Sequence, residues 1–110
     1  MEIATEKQKY MTSADSTIEE AWGIIEMNNQ RSVIVVEGSK VVGTLSDGDI
    51  RKAVLSKRLL IAPVREVMNL SFVSIKENEK ENAGNIFREK NIFLLPVVDA
   101  EMNLLDVLVR

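Results

Sequence analysis

The chain has 110 residues, 45% of them apolar and 28% charged, with a formal net charge of −3. That suits one compact domain, or two very small units sharing a core, and excludes binding to nucleic acid through charge alone. The sequence contains no cysteine and no histidine, which excludes disulfides, thiolate nucleophiles, zinc held by nitrogen or sulfur, and any Ser-His triad.

Residues 1–10 carry Glu2, Glu6, Lys7 and Lys9 without an apolar run, so they are read as an N-terminal extension and not a secretory signal. The longest apolar runs, such as residues 59–64, are too short to span a bilayer. No membrane attachment is expected, and the cytoplasm is the expected location. A short strand near residues 10–12 is expected to open the first unit. Ser16 stands three residues before Glu19, a capping-box spacing, and predicts a helix start there. Ile18, Ala21, Trp22 and Ile25 follow at the spacing of one helix face. Trp22 is read as a core or dimer contact in preference to a base-stacking platform. Residues 33–36 are an apolar, β-branched run too short for an ordinary helix, and are read as a buried strand. A turn at Gly38-Ser39-Lys40 and a second strand over residues 41–46 complete an antiparallel hairpin. A helix is predicted over residues 49–57, with Ile50, Ala53 and Val54 on one face.

Residues 59–69 read as a linker in which Pro63 opens a short helix through Val64, Val67 and Met68. Residues 72–75 alternate apolar and polar, as a short strand does. Asn78 and Glu81 occupy cap positions for a second helix bearing Ala83, Ile86 and Phe87, which Gly84 weakens by about 1 kcal/mol relative to alanine. Glu77, Glu79 and Glu81, with Lys76 and Lys80, are read as its solvated start and not as a metal site. A second apolar run covers residues 93–98. Pro96 within it has no N–H to give a ladder, so it is expected at a sheet edge or at an unpaired position. A turn at residues 100–103 and a strand over residues 104–109 close the pattern.

The two halves repeat. At an offset of 62 residues Glu19 meets Glu81, Ala21 meets Ala83, Ile24 meets Ile86, Asn29 meets Asn91, and Val35 and Val36 meet Val97 and Val98. With one residue added in the hairpin turn, Val41, Val42 and Leu45 meet Leu104, Leu105 and Leu108. A β-α-β-β-α unit of about 50 residues cannot bury both faces of its sheet alone, whereas two packed together can. The expected organisation is an extension over 1–10, a first unit over 11–58, a linker over 59–69, and a second unit over 70–110 that lacks its C-terminal helix.

The stretch Val42-Gly43-Thr44-Leu45-Ser46-Asp47-Gly48-Asp49-Ile50-Arg51 resembles the most recognisable segment of cystathionine-β-synthase-type (CBS) repeats, and Leu95-Pro96-Val97-Val98-Asp99 resembles the other. The resemblance runs from about Met11 to Leu108. It implies an α/β (α+β) fold of tandem repeats related by a pseudo-twofold axis, the second abbreviated. It also implies a non-catalytic regulatory module that binds AMP, ADP or ATP in clefts between repeats and forms a homodimer through its helices. In finer detail the chain is similar to CBS pairs that precede sugar-phosphate nucleotidyltransferase domains, whose second repeat is often abbreviated, so a fused or adjacent catalytic domain is expected. Pairs attached to sugar-phosphate isomerases rank second, and a module that only dimerises, without ligand, is the further alternative.

The candidate ligand residues are Gly43, Ser46, Asp47, Gly48, Asp49 and Arg51. At this strand-to-helix junction the amides of the helix start suit a phosphate, and Ser46 adds a hydroxyl donor. An ionised Asp49 accepts from both hydroxyls of a ribose. Arg51 either reaches a phosphate or is simply solvated. The structural alternative has Asp47 as N-cap and Asp49 as a complement to the helix dipole, and Asp47 places negative charge beside the phosphate. In the second unit Asp106 stands where the first has Gly43, and no counterpart of Asp49 follows. At most one site per chain is therefore expected.

Overall fold

The structure, a computed structural model, describes residues 7–110. Its elements are β1 (Met11–Ser13), α1 (Ile18–Asn28), β2 (Ser32–Glu37), β3 (Lys40–Ser46), α2 (Asp47–Leu55), α3 (Ala83–Lys90), β4 (Leu94–Val98) and β5 (Leu104–Val109), with 3-10 turns at Val64–Glu66 and Glu77–Asn82. One sheet has the order β1-β2-β3, with β1 parallel and β3 antiparallel to β2; the other is the antiparallel pair β4-β5. Among the described residues no helix is long and apolar enough to cross a membrane.

The pleat explains why β2 and β4 are apolar at successive positions. Side chains alternate between faces, and here both faces are covered. Val33 and Val35 join Ile18, Ala21, Ile25, Leu45 and Ile50 in a core beneath α1 and α2. Leu95 and Val97 join Ile75, Ala83 and Phe87 beneath α3. The opposite faces meet each other, as Ile34, Val36 and Val41 pack on Leu94 and Val98. Each unit thus has its own core, and a third core welds the two.

The repeat in the sequence is a repeat in space. Asn29 and Asn91 end their helices in the left-handed conformation, at φ 59 and φ 54. The hairpins carry a register shift at Val35/Val36 and at Val97/Val98. Val35 pairs with Gly43 as Val97 pairs with Asp106, so Asp106 does occupy the place of Gly43. At the hairpin tips the amide of Val41 donates to the Met102 carbonyl, and the amide of Leu104 donates to the Ser39 carbonyl, both at 2.9 Å. These two bonds exchange under the repeat offset, which is what a pseudo-twofold axis between the units requires.

Several expected details differ. The capping box of α1 uses Thr17 and Glu20 in place of Ser16 and Glu19: the Glu20 amide donates to Thr17 Oγ1 at 3.0 Å and the Thr17 amide to Glu20 Oε1 at 2.9 Å. Ser16 is engaged elsewhere, its hydroxyl accepting from Thr12 and its carbonyl accepting from Val64 at 2.7 Å as the linker runs past. Trp22 is 37% exposed at the rim of the α1 face, while Ile24 packs on the core. In the second unit Asn78 and Glu81 do not cap a helix. They lie in the 3-10 turn, and α3 begins at Ala83. Helix α2 begins at Asp47, two residues before the expected start, with Ser46 and not Asp47 as its N-cap.

The strand expected over residues 72–75 shrinks to a single bridge between Ile75 and Val97. The Ile75 amide donates to the Pro96 carbonyl and the Val98 amide to the Ile75 carbonyl. The next rung of this parallel ladder needs an amide at position 96, which proline lacks. In the first unit the corresponding bond is made, from the Ile34 amide to the Tyr10 carbonyl at 2.7 Å. Pro96 is buried, and its missing donor lies on the side away from β5, as expected of an unpaired position.

Candidate functional site

A cleft of about 510 Å³ lies between the two units. One wall is Thr44 and residues 46–49, the end of β3 and the first turn of α2; the other is residues 71–73 and residues 90–94 of the second unit, with residues 31–34 between them. Ligand sites fall roughly between 300 and 1,000 Å³, so the size suits a small molecule. The ladder stopped at Pro96 bears directly on this wall, because it leaves Phe72 and Val73 out of the sheet and beside the cleft.

The sequence turns into α2 here through a reciprocal cap. The Asp49 amide donates to Ser46 Oγ at 3.1 Å, and the Ser46 amide donates to Asp49 Oδ2 at 2.9 Å. Two of the helix's orphan donors are thereby satisfied, and both side chains are held at the cleft. Asp47 and Gly48 complete this wall. The structural alternative of a helix cap is therefore real, but it falls to Ser46, and capping and facing the cleft are compatible.

Of the six candidate residues, Ser46, Asp47, Gly48 and Asp49 line the cleft, and Gly43 and Arg51 do not. Gly43 serves packing. A Cβ there would stand 2.8 Å from Met68 Sδ, 2.9 Å from Met68 Cγ and 3.1 Å from the Asn69 carbonyl oxygen. Asn69 is itself fixed by a two-way backbone pair with Thr44, at 2.7 and 3.1 Å. Arg51 is exposed on α2.

The sequence reading did not find Arg31, Asn69, Phe72, Lys90 or Phe93, all of which line the cleft. Arg31 and Phe93 are one repeat offset apart, and the Arg31 guanidinium lies over the Phe93 ring at 5.4 Å from its centroid. The Arg110 guanidinium lies over the same ring at 5.4 Å. The offset was the signal that would have paired these positions, since equivalent residues can touch only near the pseudo-twofold axis. Among the described residues no group of His, Cys, Asp or Glu is arranged to hold a metal ion.

Residues 5–56 match the family model of the CBS domain. The chain is 34% identical over 89 residues to the CBS domain-containing protein YhcV of Bacillus subtilis (strain 168), a match that covers 79% of this chain and 64% of that protein. Among solved structures it resembles the CBS domain protein PAE2072 from Pyrobaculum aerophilum complexed with AMP, at TM-score 0.74 and 22% identity over 91% of this chain and 79% of that one. It also resembles the CBS domain pair of protein MJ0100 in complex with 5-methylthioadenosine and S-adenosyl-L-methionine, at TM-score 0.73 and 24% identity over 91% and 80% of the two chains. The duplicated hairpins, the shared core and these matches lead to one assignment: the chain has the fold of a CBS pair, and residues 5–56 are the part that matches the CBS-domain family model.

Proposed function

We propose that the chain is a non-catalytic regulatory CBS-pair module that binds an adenine nucleotide in the cleft at Ser46 and Asp49 and biases an attached or adjacent enzyme. A sugar-phosphate nucleotidyltransferase is the enzyme we favour, on the resemblance of residues 43–55 and of the second-repeat stretch 94–110. The organisation proposed is the one expected above, with units over 11–58 and 70–110 and a linker over 59–69, and the proposed location is the cytoplasm.

One observation carries the reading: a carboxylate held by a helix cap shares a cleft with apolar side chains of the other unit. Asp49 closes the cap with Oδ2, and Oδ1 is the oxygen offered to ribose hydroxyls. Phe72, Val73 and Ile92 give the adenine ring an apolar wall. The ligands in the PAE2072 and MJ0100 structures share an adenosine group, which is what such a cleft recognises. Because its walls belong to different units, a ligand that binds a closed arrangement more tightly than an open one shifts the balance between them, and only that difference regulates.

Titration calorimetry with AMP, ADP and ATP tests this on the chain and on Asp49→Asn. Asparagine keeps an oxygen for the Ser46 amide and loses the charge, so the helix survives. Charge-assisted hydrogen bonds contribute about 1.5–3 kcal/mol, so affinity should fall roughly ten- to hundredfold. Equal affinity of the two proteins, or no heat with any nucleotide, overturns the reading.

A second reading has its own support. Leu55, Leu59 and Ile61 are 76%, 68% and 70% exposed at the end of α2 and in the linker, a surface suited to a second copy. A module that only dimerises would sediment as a dimer and ignore every nucleotide.

A further inference from the structure

We infer that Asp106 closes the outer edge of β5 against pairing with another extended segment, doing for the second unit what Met68 and Asn69 do for the first. A strand edge presents unpaired amides and carbonyls, and a protein that does not blunt it risks pairing with other chains. At β3 the chain covers its own edge. The Thr44 amide donates to the Asn69 carbonyl at 3.1 Å, and the Asn69 amide donates to the Thr44 carbonyl at 2.7 Å. The approach is so close that a Cβ at Gly43 would stand 2.8 Å from Met68 Sδ and 3.1 Å from that same Asn69 oxygen.

β5 is the mate of β3 in the repeat, and Val107 holds the place of Thr44, because Ile34 pairs with Thr44 as Pro96 pairs with Val107. The Val107 amide therefore points away from β4. Among the described residues neither a strand nor an isolated bridge reaches Val107 from that side. Its amide instead donates to Asp106 Oδ1 at 2.8 Å. That oxygen stands in for the Asn69 carbonyl of the first unit. Lys80 Nζ holds the other oxygen, Oδ2, at 3.2 Å. One side chain thus acts twice. Its carboxylate takes the edge donor, and its Cβ occupies the space through which Met68 and Asn69 reach the edge at Gly43. An incoming strand would also strip water from a charged group, which adds to its cost.

Amide hydrogen exchange and sedimentation velocity test this on the chain and on Asp106→Ala, Asp106→Asn and Asp106→Gly, each first checked for folding by urea melting. In dilute protein Asp106→Ala removes the acceptor. Val107 should then exchange about tenfold or more faster than in the parent, after correction for intrinsic rates. Asp106→Asn keeps an oxygen at the same place, so its Val107 should lie closer to the parent than to the alanine variant. Asp106→Gly removes both the oxygen and the Cβ and gives β5 the open geometry of β3. It should form a larger assembly than the parent at equal concentration, and its Val107 amide should regain protection as the assembly forms. Equal Val107 exchange in the parent and Asp106→Ala overturns the inference, because Asp106 then does not hold the donor. An asparagine variant that matches alanine overturns it too, since the effect then lies in the charge and not in the bond. So does a folded Asp106→Gly that sediments like the parent, because the edge then needs no guard. If the glycine variant does not fold, the alanine and asparagine comparisons still decide.

Discussion

Replacing Pro96 by valine asks whether proline shapes the cleft. In the first unit the Ile34 amide gives a 2.7 Å bond to the Tyr10 carbonyl, and Pro96 is the repeat position that cannot make it. A valine N–H at position 96 points away from β5, toward the segment before Ile75. If that segment zips onto β4, the new hydrogen bond contributes about 0.5–1.5 kcal/mol. The loss of proline's restraint on the unfolded chain costs roughly 0.4–1 kcal/mol. The two nearly cancel, so stability should stay within about 1 kcal/mol of the parent by the two terms together. If no partner arrives, a buried amide goes unsatisfied at about 1–3 kcal/mol and the entropy loss adds to it, for roughly 1.5–4 kcal/mol in all. We expect zipping. Urea melts give the stability, and hydrogen exchange of the new amide reports the bond. Zipping also draws residues 71–73 toward the sheet, so adenosine should bind more weakly. A loss of about 2 kcal/mol or more with a freely exchanging amide would show that the segment does not zip onto β4.

Two further outcomes follow from the same coordinates. Gly43→Ala forces a Cβ to within 2.9 Å of Met68 Cγ and 3.1 Å of the Asn69 carbonyl, an overpacking that should cost about 1–3 kcal/mol less a few tenths for the stiffer unfolded chain; a urea midpoint at or above the parent's contradicts it. Asp99 accepts hydrogen bonds from the Asn103 side chain, the Asn103 amide and the Glu101 amide, which hold its carboxyl below the usual range. Its folded pKa lies below its unfolded one, so this support for the fold is present above the unfolded value and is lost as pH falls through the folded value. Asn103→Ala should raise the Asp99 midpoint in a carbon-13 titration, and an unmoved midpoint speaks against the assignment.

What the sequence disclosed was whatever repeats or alternates. The 62-residue offset aligned Asn29 with Asn91 and the first strands of both hairpins, because identical local geometry demands similar residues, and the one residue added in the turn set Gly43 opposite Asp106. Burial of β2 and β4 on both faces was legible for a related reason, since a strand covered on two sides has no polar position to spare. Cap positions were less legible. Ser16 and Thr17 each stand three residues before a glutamate, and the choice between them is made by the linker, whose Val64 amide takes the Ser16 carbonyl. At α2 the deciding contact is local: Ser46 caps through its reciprocal bonds with Asp49 three residues on, whereas Asp47 has Ile50 at that spacing.

The cleft shows where such reading ends. Its first wall is a contiguous motif, and residues 46–49 could be named as candidates from type and spacing alone. Its second wall comes from residues 71–73 and 90–94, in the other unit, and carries no motif of its own. What brings the walls together is the third core, where Ile34 and Val36 meet Leu94 and Val98. That contact was implied by the two-sided burial, but its partner was not. A lone CBS repeat would keep the cap between Ser46 and Asp49 and lose the wall opposite. The cleft is therefore a property of the pair, and under the proposed reading a ligand that spans it would report on how the two units are docked.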